Sequence, residues 1–269
     1  MFALTKNHLV DFDSLPHIII YYQIYQILAE EEADENYFAL KKLIEENAKF
    51  FPRDVAVDEL YGAAQNYCVK RVNLGNARFL EELFELFNLL INQELIVSDG
   101  SISPWYFRNI VFVGLRLGKY EWTEQFILKY QDYLPENLRA NSVTFNLAQL
   151  YFYQKKYDQV IRQLQFVEYD DISYNLNSKA ILLATYYEID EIEPLESLLE
   201  AFRSYLSRNK SKIPESRNRS FMLFIRFLRT LVRLRPGDNK SLQKLKEQVQ
   251  ERKETTSRGW LLEKIAELE

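Results

Sequence analysis

The sequence has few of the residues that build turn-rich folds, disulfide frameworks and metal sites. Its 269 residues include 7 glycines, 7 prolines, one cysteine and two histidines. The scarcity of glycine and proline argues against a turn-rich β fold and against long flexible linkers. The single cysteine, Cys68, excludes an internal disulfide framework and suits a reducing compartment. Since His8 and His17 stand in no C-x2-C or H-E-x-x-H spacing, we expect no metal and no cofactor.

The motifs of catalysis and of membrane insertion are also missing. No glycine-rich phosphate loop occurs, and no G-K-[ST] motif. No basic segment followed by an apolar segment begins the chain, so no targeting signal is evident. The apolar run from Ile18 to Leu28 is interrupted by Gln23 and Gln26 and is shorter than the ~20 residues that cross a membrane. We therefore expect a cytoplasmic, soluble protein that is not an enzyme.

What the sequence has in abundance is apolar residues arranged in a rhythm. It is 47% hydrophobic, with 18 Phe and 18 Tyr, which suits a large buried core and argues against disorder. Five times, an apolar segment of helix length is followed by a short turn and a second helical segment. Corresponding positions recur every 35 to 43 residues, at Ile24, Ala64, Phe107, Thr144 and Lys179. A period in this range is typical of a helical solenoid.

The repeat that begins near Pro104 is the clearest. Pro104 suits the first turn of a helix, and Gly118 can take the left-handed conformation that ends it. Pro135 ends the second helix because it lacks an amide donor. Apolar or small residues recur at helical spacing in both helices, at Phe107, Ile110, Val111, Gly114, Thr123 and Ile127.

This spacing resembles the tetratricopeptide repeat family, and the resemblance extends more loosely over most of the chain. It departs from the family in the second helices, where Leu40, Leu80, Thr123, Val160 and Leu195 stand in place of the usual alanine. The resemblance implies an all-α, right-handed superhelix of antiparallel helix pairs with about 11–13 helices, as one solenoid domain over 1–269. A non-repeating all-α domain is the alternative. The expected repeats are 14–52, 54–95, 104–137, 141–172, 175–210 and 214–252, with a C-terminal cap helix at 257–268.

The resemblance also implies where a partner binds, because in this family the first helix of each pair lines a concave groove. Aromatic residues and arginine are enriched at binding hot spots. We therefore expect a non-enzymatic scaffold that holds a peptide or protein in the groove. Phe112 and Phe145 are expected to pack against the next helix instead. The residues assigned to the groove by position are Tyr22, Tyr25, Gln65, Trp105, Arg108, Arg116, Gln149 and Tyr187.

Charge is distributed unevenly along the chain. Residues 1–135 hold 12 Lys and Arg against 20 Asp and Glu, a net charge of -8, whereas residues 205–253 hold 14 against 4, a net charge of +10. Four arginines in the basic segment fall on one helical stripe because they are spaced 7, 3 and 4 apart: Arg219, Arg226, Arg229 and Arg233. The opposite stripe is the predicted core face: Phe221, Phe224, Leu228 and Leu231.

We call these four arginines the arginine stripe. Three interpretations of it are open. It suits the phosphates of a nucleic acid, it suits an acidic protein surface, and it suits a solvated helix face without a specific role. The overall charge of -5 disfavours nucleic acid, since domains that bind it are usually basic.

The first predicted helix is apolar around most of its circumference between Ile18 and Leu28. A terminal repeat should instead have a polar outer face. The hypothesis is that this end of the protein docks on a second copy, forming a homodimer, or on a preceding segment.

Overall fold

The computed structural model describes residues 16–30, 32, 34–165 and 172–269, so His8 lies outside the described residues. In these ranges the chain forms 13 α-helices and two short strands, which confirms the all-α expectation. The chain divides into two compact units, Met1–Arg139 and Ala140–Glu269.

The first unit is a succession of paired helices. Its helices are α1 Pro16–Ala29, α2 Asp34–Asn47, α3 Gly62–Asn73, α4 Arg78–Asn92, α5 Pro104–Arg116 and α6 Tyr120–Tyr130. Helix α1 contacts α2 and α3, α2 contacts α3, and each of α3, α4 and α5 contacts the helix that follows it. The α1–α3 contact joins the first helices of two neighbouring pairs. A π-helix, Val55–Tyr61, leads directly into α3, and a two-stranded antiparallel hairpin, β1 (Val97–Ser98) and β2 (Ser101–Ile102), follows α4.

The second unit repeats this arrangement. Its helices are α7 Glu136–Tyr153, whose residues from Ala140 belong to this unit, α8 Tyr157–Leu164, α9 Ile172–Glu188, α10 Ile192–Arg208, α11 Glu215–Arg233, α12 Asn239–Glu251 and α13 Arg258–Leu268. Helix α9 contacts α8, α10 and α11, and α11 contacts α10, α12 and α13. The last helix, α13, therefore packs on α11 as α11 packs on α9.

Four helix pairs are joined by the same turn. In each, one residue has a positive φ, and the next amide donates to the carbonyl five residues back, at 2.8–3.0 Å. This is the Schellman arrangement that ends an α-helix. The left-handed residues are Gly75, Gly118, Lys155 and Asp190, each 11 residues after a predicted repeat position. The predicted period is therefore the spacing of a recurring backbone turn.

The cores of both units are built from the predicted apolar stripes. In the first unit, the stacked rings of Tyr37 and Tyr67 (centroids 5.4 Å apart) meet the edge of Phe79 between α2, α3 and α4. In the second unit, the predicted core face of α11 is buried at all four positions, Phe221, Phe224, Leu228 and Leu231. This burial leaves the opposite face of α11, with its arginines, toward solvent.

Candidate functional site

The arginine stripe of α11 lines an open cleft. Arg203 of α10 joins the four predicted arginines there, and the cleft encloses about 610 Å³. From Arg219 to Arg233 the stripe runs roughly 21 Å along the helix, at 1.5 Å per residue. We call these five arginines and the space between them the arginine cleft.

Among the described residues, two of the five guanidinium groups form an ion pair with a carboxylate. Arg219 Nη2 lies 3.4 Å from Glu215 Oε1, one turn away on the same helix. Arg229 Nη2 lies 2.5 Å from Glu200 Oε1 of α10. In the part of the chain that the structure describes, no carboxylate forms an ion pair with the remaining three, Arg203, Arg226 and Arg233. Like charges grouped in a concave site create a positive potential that attracts anions.

Apolar side chains lie between the arginines of the cleft. Met222, Leu223 and Leu234 are half-buried and line it together with the guanidinium groups. A smaller cleft of about 210 Å³ shares Arg229 and Arg233 and has Glu196 and Glu200 in its lining. The arginine cleft thus offers both charge and apolar contact, with its acidic neighbours on one side.

A second surface lies on α5 in the first unit. Trp105, Arg108, Phe112 and Arg116, spaced 3, 4 and 4 apart, occupy one stripe of the helix, which we call the α5 stripe. Trp105 is 55% exposed and Phe112 is 42% exposed. The Arg116 guanidinium lies 5.8 Å from the centroid of the Phe112 ring. Among the described residues, no carboxylate forms an ion pair with Arg108 or Arg116.

The other predicted groove residues of the first unit differ in exposure. Tyr25 is exposed, and Tyr22 is half-buried with its hydroxyl accepting a hydrogen bond from Gln26 at 2.5 Å. Gln65 is only 5% exposed, so the prediction that it faces a groove is wrong. The Tyr106 hydroxyl of α5 lies 3.5 Å from Gln65 Oε1, so α5 packs beside this side chain.

Two predicted groove residues belong to the second unit, and both are partly covered. Gln149 on α7 is half-buried. Tyr187 on α9 meets the ring of Trp260 on α13 edge to face, at 5.5 Å between centroids. Burial raises the pKa of Tyr187. Phe145 is buried as expected, whereas Phe112 is exposed, contrary to its expected packing.

Helix α1 carries an exposed apolar stripe. Ile18, Tyr21, Tyr25 and Leu28 are spaced 3, 4 and 3 apart and range from 37% to 68% exposed. The Tyr21 hydroxyl donates to Glu59 Oε2 at 2.5 Å, and this hydrogen bond raises the pKa of Tyr21 to about 12. The predicted docking of a second copy or of a preceding segment on this stripe stays a prediction.

Cys68 belongs to a buried polar network that sequence reasoning did not find. Burial raises the pKa of the Cys68 thiol to about 12, so the thiol is protonated at neutral pH. Nearby, Tyr37 donates to Glu82 Oε2 at 3.3 Å, and Lys41 Nζ lies 2.8 Å from the same oxygen. The one sign of this network in the sequence is Glu82, because a charged residue on the apolar stripe of α4 indicates a buried polar contact. The network ties α2 to α3 and α4, which agrees with a packing role for Cys68.

The described ranges contain neither a candidate metal site nor a candidate membrane span. No cluster of three or more His, Cys, Asp or Glu side chains there is arranged to hold a metal ion. None of the described helices combines the length and apolarity that crossing a bilayer requires. Comparisons of the chain with protein-family models, with curated proteins and with solved structures find no match.

Proposed function

We propose that this protein is a non-enzymatic protein-binding module that contacts its partner through the α5 stripe. The observation that carries the proposal is the composition of this stripe, in which exposed aromatic rings alternate with arginines that form no ion pair with any described carboxylate. Tryptophan and arginine are the residues most enriched at binding hot spots, because each combines a large contact area with directional polar groups.

Charge favours a protein over a nucleic acid as the partner of this stripe. The first unit, residues 1–139, holds 13 Lys and Arg against 21 Asp and Glu, a net charge of -8. A unit with this charge repels a phosphate backbone, whereas sites for nucleic acid are normally set in basic surroundings.

As the scaffold, we propose that the helix pairs within each unit stack as tetratricopeptide-like repeats. The recurring Schellman turn and the contacts between first helices, α1 with α3 and α9 with α11, support stacked repeats. Prestacked helices lose little conformational entropy when a partner binds. A cytoplasmic location is also part of the proposal and rests on the single cysteine.

The test is affinity capture with a matched pair of variants. Trp105→Ala combined with Arg116→Ala removes one ring and one guanidinium from the stripe. Tyr133→Ala combined with Lys129→Ala removes an exposed ring and a cation elsewhere in the same unit. We expect a protein that the wild type and the control retain to be lost from the stripe variant. With that protein purified, its affinity should fall about tenfold or more.

Circular dichroism establishes that both double variants keep the wild-type helix content. Equal recovery of every captured protein by the stripe variant and the control would refute the α5 stripe as the contact surface.

A further inference from the structure

We propose that the arginine cleft is a second binding site, separate from the α5 stripe, and that it holds an acidic segment of another protein that also carries large apolar side chains. Five guanidinium groups line the cleft, and Arg203, Arg226 and Arg233 have no ion-pair partner among the described residues. Arginine forks match carboxylates in geometry and are less strongly hydrated than lysine. An anionic ligand therefore fits the cleft.

The length of the arginine stripe favours a peptide chain over a small ion as the ligand. The arginine stripe is roughly 21 Å long, which corresponds to about six extended residues or about 14 helical residues. A single carboxylate or phosphate would engage one or two of Arg203, Arg226 and Arg233 and leave the rest without an anionic partner. A linear segment with several acidic groups can meet all of them.

The apolar residues of the cleft distinguish an acidic protein segment from a nucleic acid. Met222, Leu223 and Leu234 lie between the guanidinium groups, where they can contact leucine-like side chains and gain from burial. Single-stranded nucleic acids bind on exposed aromatic rings, on which their bases stack. None of the described residues that line the cleft is aromatic, and Phe227, 4.8 Å from the Arg226 guanidinium, is buried.

Fluorescence anisotropy with three labelled probes tests the inference on the full chain. The first probe is a peptide of repeated Glu-Glu-Leu-Leu, about 15 residues long to match the stripe as a helix. The second replaces each leucine by serine, and the third is single-stranded oligothymidylate of similar charge. We expect the leucine peptide to bind about tenfold or more tightly than either other probe, with affinity that falls as salt is added.

Matched charge reversals locate the site. Arg226→Glu combined with Arg233→Glu should lower the affinity for the leucine peptide at least about tenfold, because two unpaired cations become repulsive. Arg208→Glu combined with Arg252→Glu changes the net charge equally at exposed positions outside the cleft and should leave the affinity within about twofold. Leu223→Ser should lower the affinity for the leucine peptide and leave the affinity for the serine peptide unchanged.

Three results would overturn the inference. Equal binding of the two peptides would refute the apolar part, and oligothymidylate binding as tightly as the leucine peptide would identify a nucleic-acid site. Equal losses in both charge-reversal variants would show attraction to the net charge alone. Because the α5 stripe takes no part, Trp105→Ala with Arg116→Ala should leave peptide binding unchanged, so the two proposals fail independently.

Discussion

At the scale of single residues, Gly114 explains how closely α5 and α6 approach. A Cβ atom at Gly114 would lie 2.4 Å from Thr123 Oγ1, inside the distance that two such atoms tolerate. Thr123 has little room to move, because it is fully buried and its hydroxyl donates to the Lys119 carbonyl at 2.8 Å. The small residue that the repeat pattern requires at this position is therefore required by contact with one particular side chain.

Gly114→Ala should destabilise the protein by about 1 kcal/mol. Overpacking of a buried contact costs ~1–3 kcal/mol, and the better helix propensity of alanine returns ~1 kcal/mol. Urea denaturation measures the difference. In a Thr123→Ala background the clash is absent, so Gly114→Ala should there be neutral or stabilising. A cost that is the same in both backgrounds would show that Thr123 is not the obstacle.

At the scale of elements, the last helix, α13, is attached to α9 by a buried ion-pair cluster. Lys264 is 4% exposed, and its Nζ lies 2.9 Å from Glu188 Oε1 and 2.8 Å from Glu267 Oε1. The Trp260 Nε1 group also donates to Glu188 Oε1, at 2.7 Å. The cluster satisfies a lysine and a glutamate that the fold withdraws from water.

Lys264→Ala should lower the free energy of unfolding of the second unit by about 2–4 kcal/mol, because it leaves the largely buried Glu188 without a cation. Lys246→Ala is the matched control. It breaks a more exposed pair, Lys246 Nζ to Glu269 Oε2 at 2.7 Å, and should cost at most about 1 kcal/mol.

Urea denaturation compares these two variants, and hydrogen exchange should show α13 losing protection in Lys264→Ala. Equal costs in the two variants would mean that the buried cluster contributes no more than a surface pair.

Packing between α10 and α11 decides which other side chains lie beside the arginine stripe. Arg203 and Glu200 come from α10, whereas the stripe itself belongs to α11. Periodicity within α11 predicts that its four arginines share one face, because that depends only on local helix geometry. The fifth arginine and the acidic partner of Arg229 depend on which face of α10 packs beside α11.

At the scale of the whole molecule, stability should fall as the pH rises above about 9. Burial raises the pKa of Cys68 from 9.0 to about 12 and that of Tyr61 from 10.0 to about 12. The folded protein then keeps protons that the unfolded chain releases. The stabilisation from these groups is complete below pH 9 and is lost as the pH rises toward 12.

Urea denaturation at about pH 8 and about pH 10.5, one value on each side of the unfolded-state pKa values, measures this loss. Cys68→Ala should show a smaller fall in unfolding free energy between the two values, since one of the retained protons is gone. An unfolding free energy that is unchanged between them would contradict the burial argument.

The sequence by itself determined the helices, the recurring turns, the core face of α11 and its arginine stripe. These features follow from local periodicity and from backbone preferences at residues such as Gly118 and Pro135. Only the tertiary structure decided that Gln65 and Lys264 are buried, that Phe112 is exposed, that Arg203 completes the arginine cleft, and that the chain divides into two compact units. Those outcomes depend on contacts between residues far apart in the chain, such as Tyr106 with Gln65 and Glu188 with Lys264, and periodicity within one helix carries no information about its neighbours.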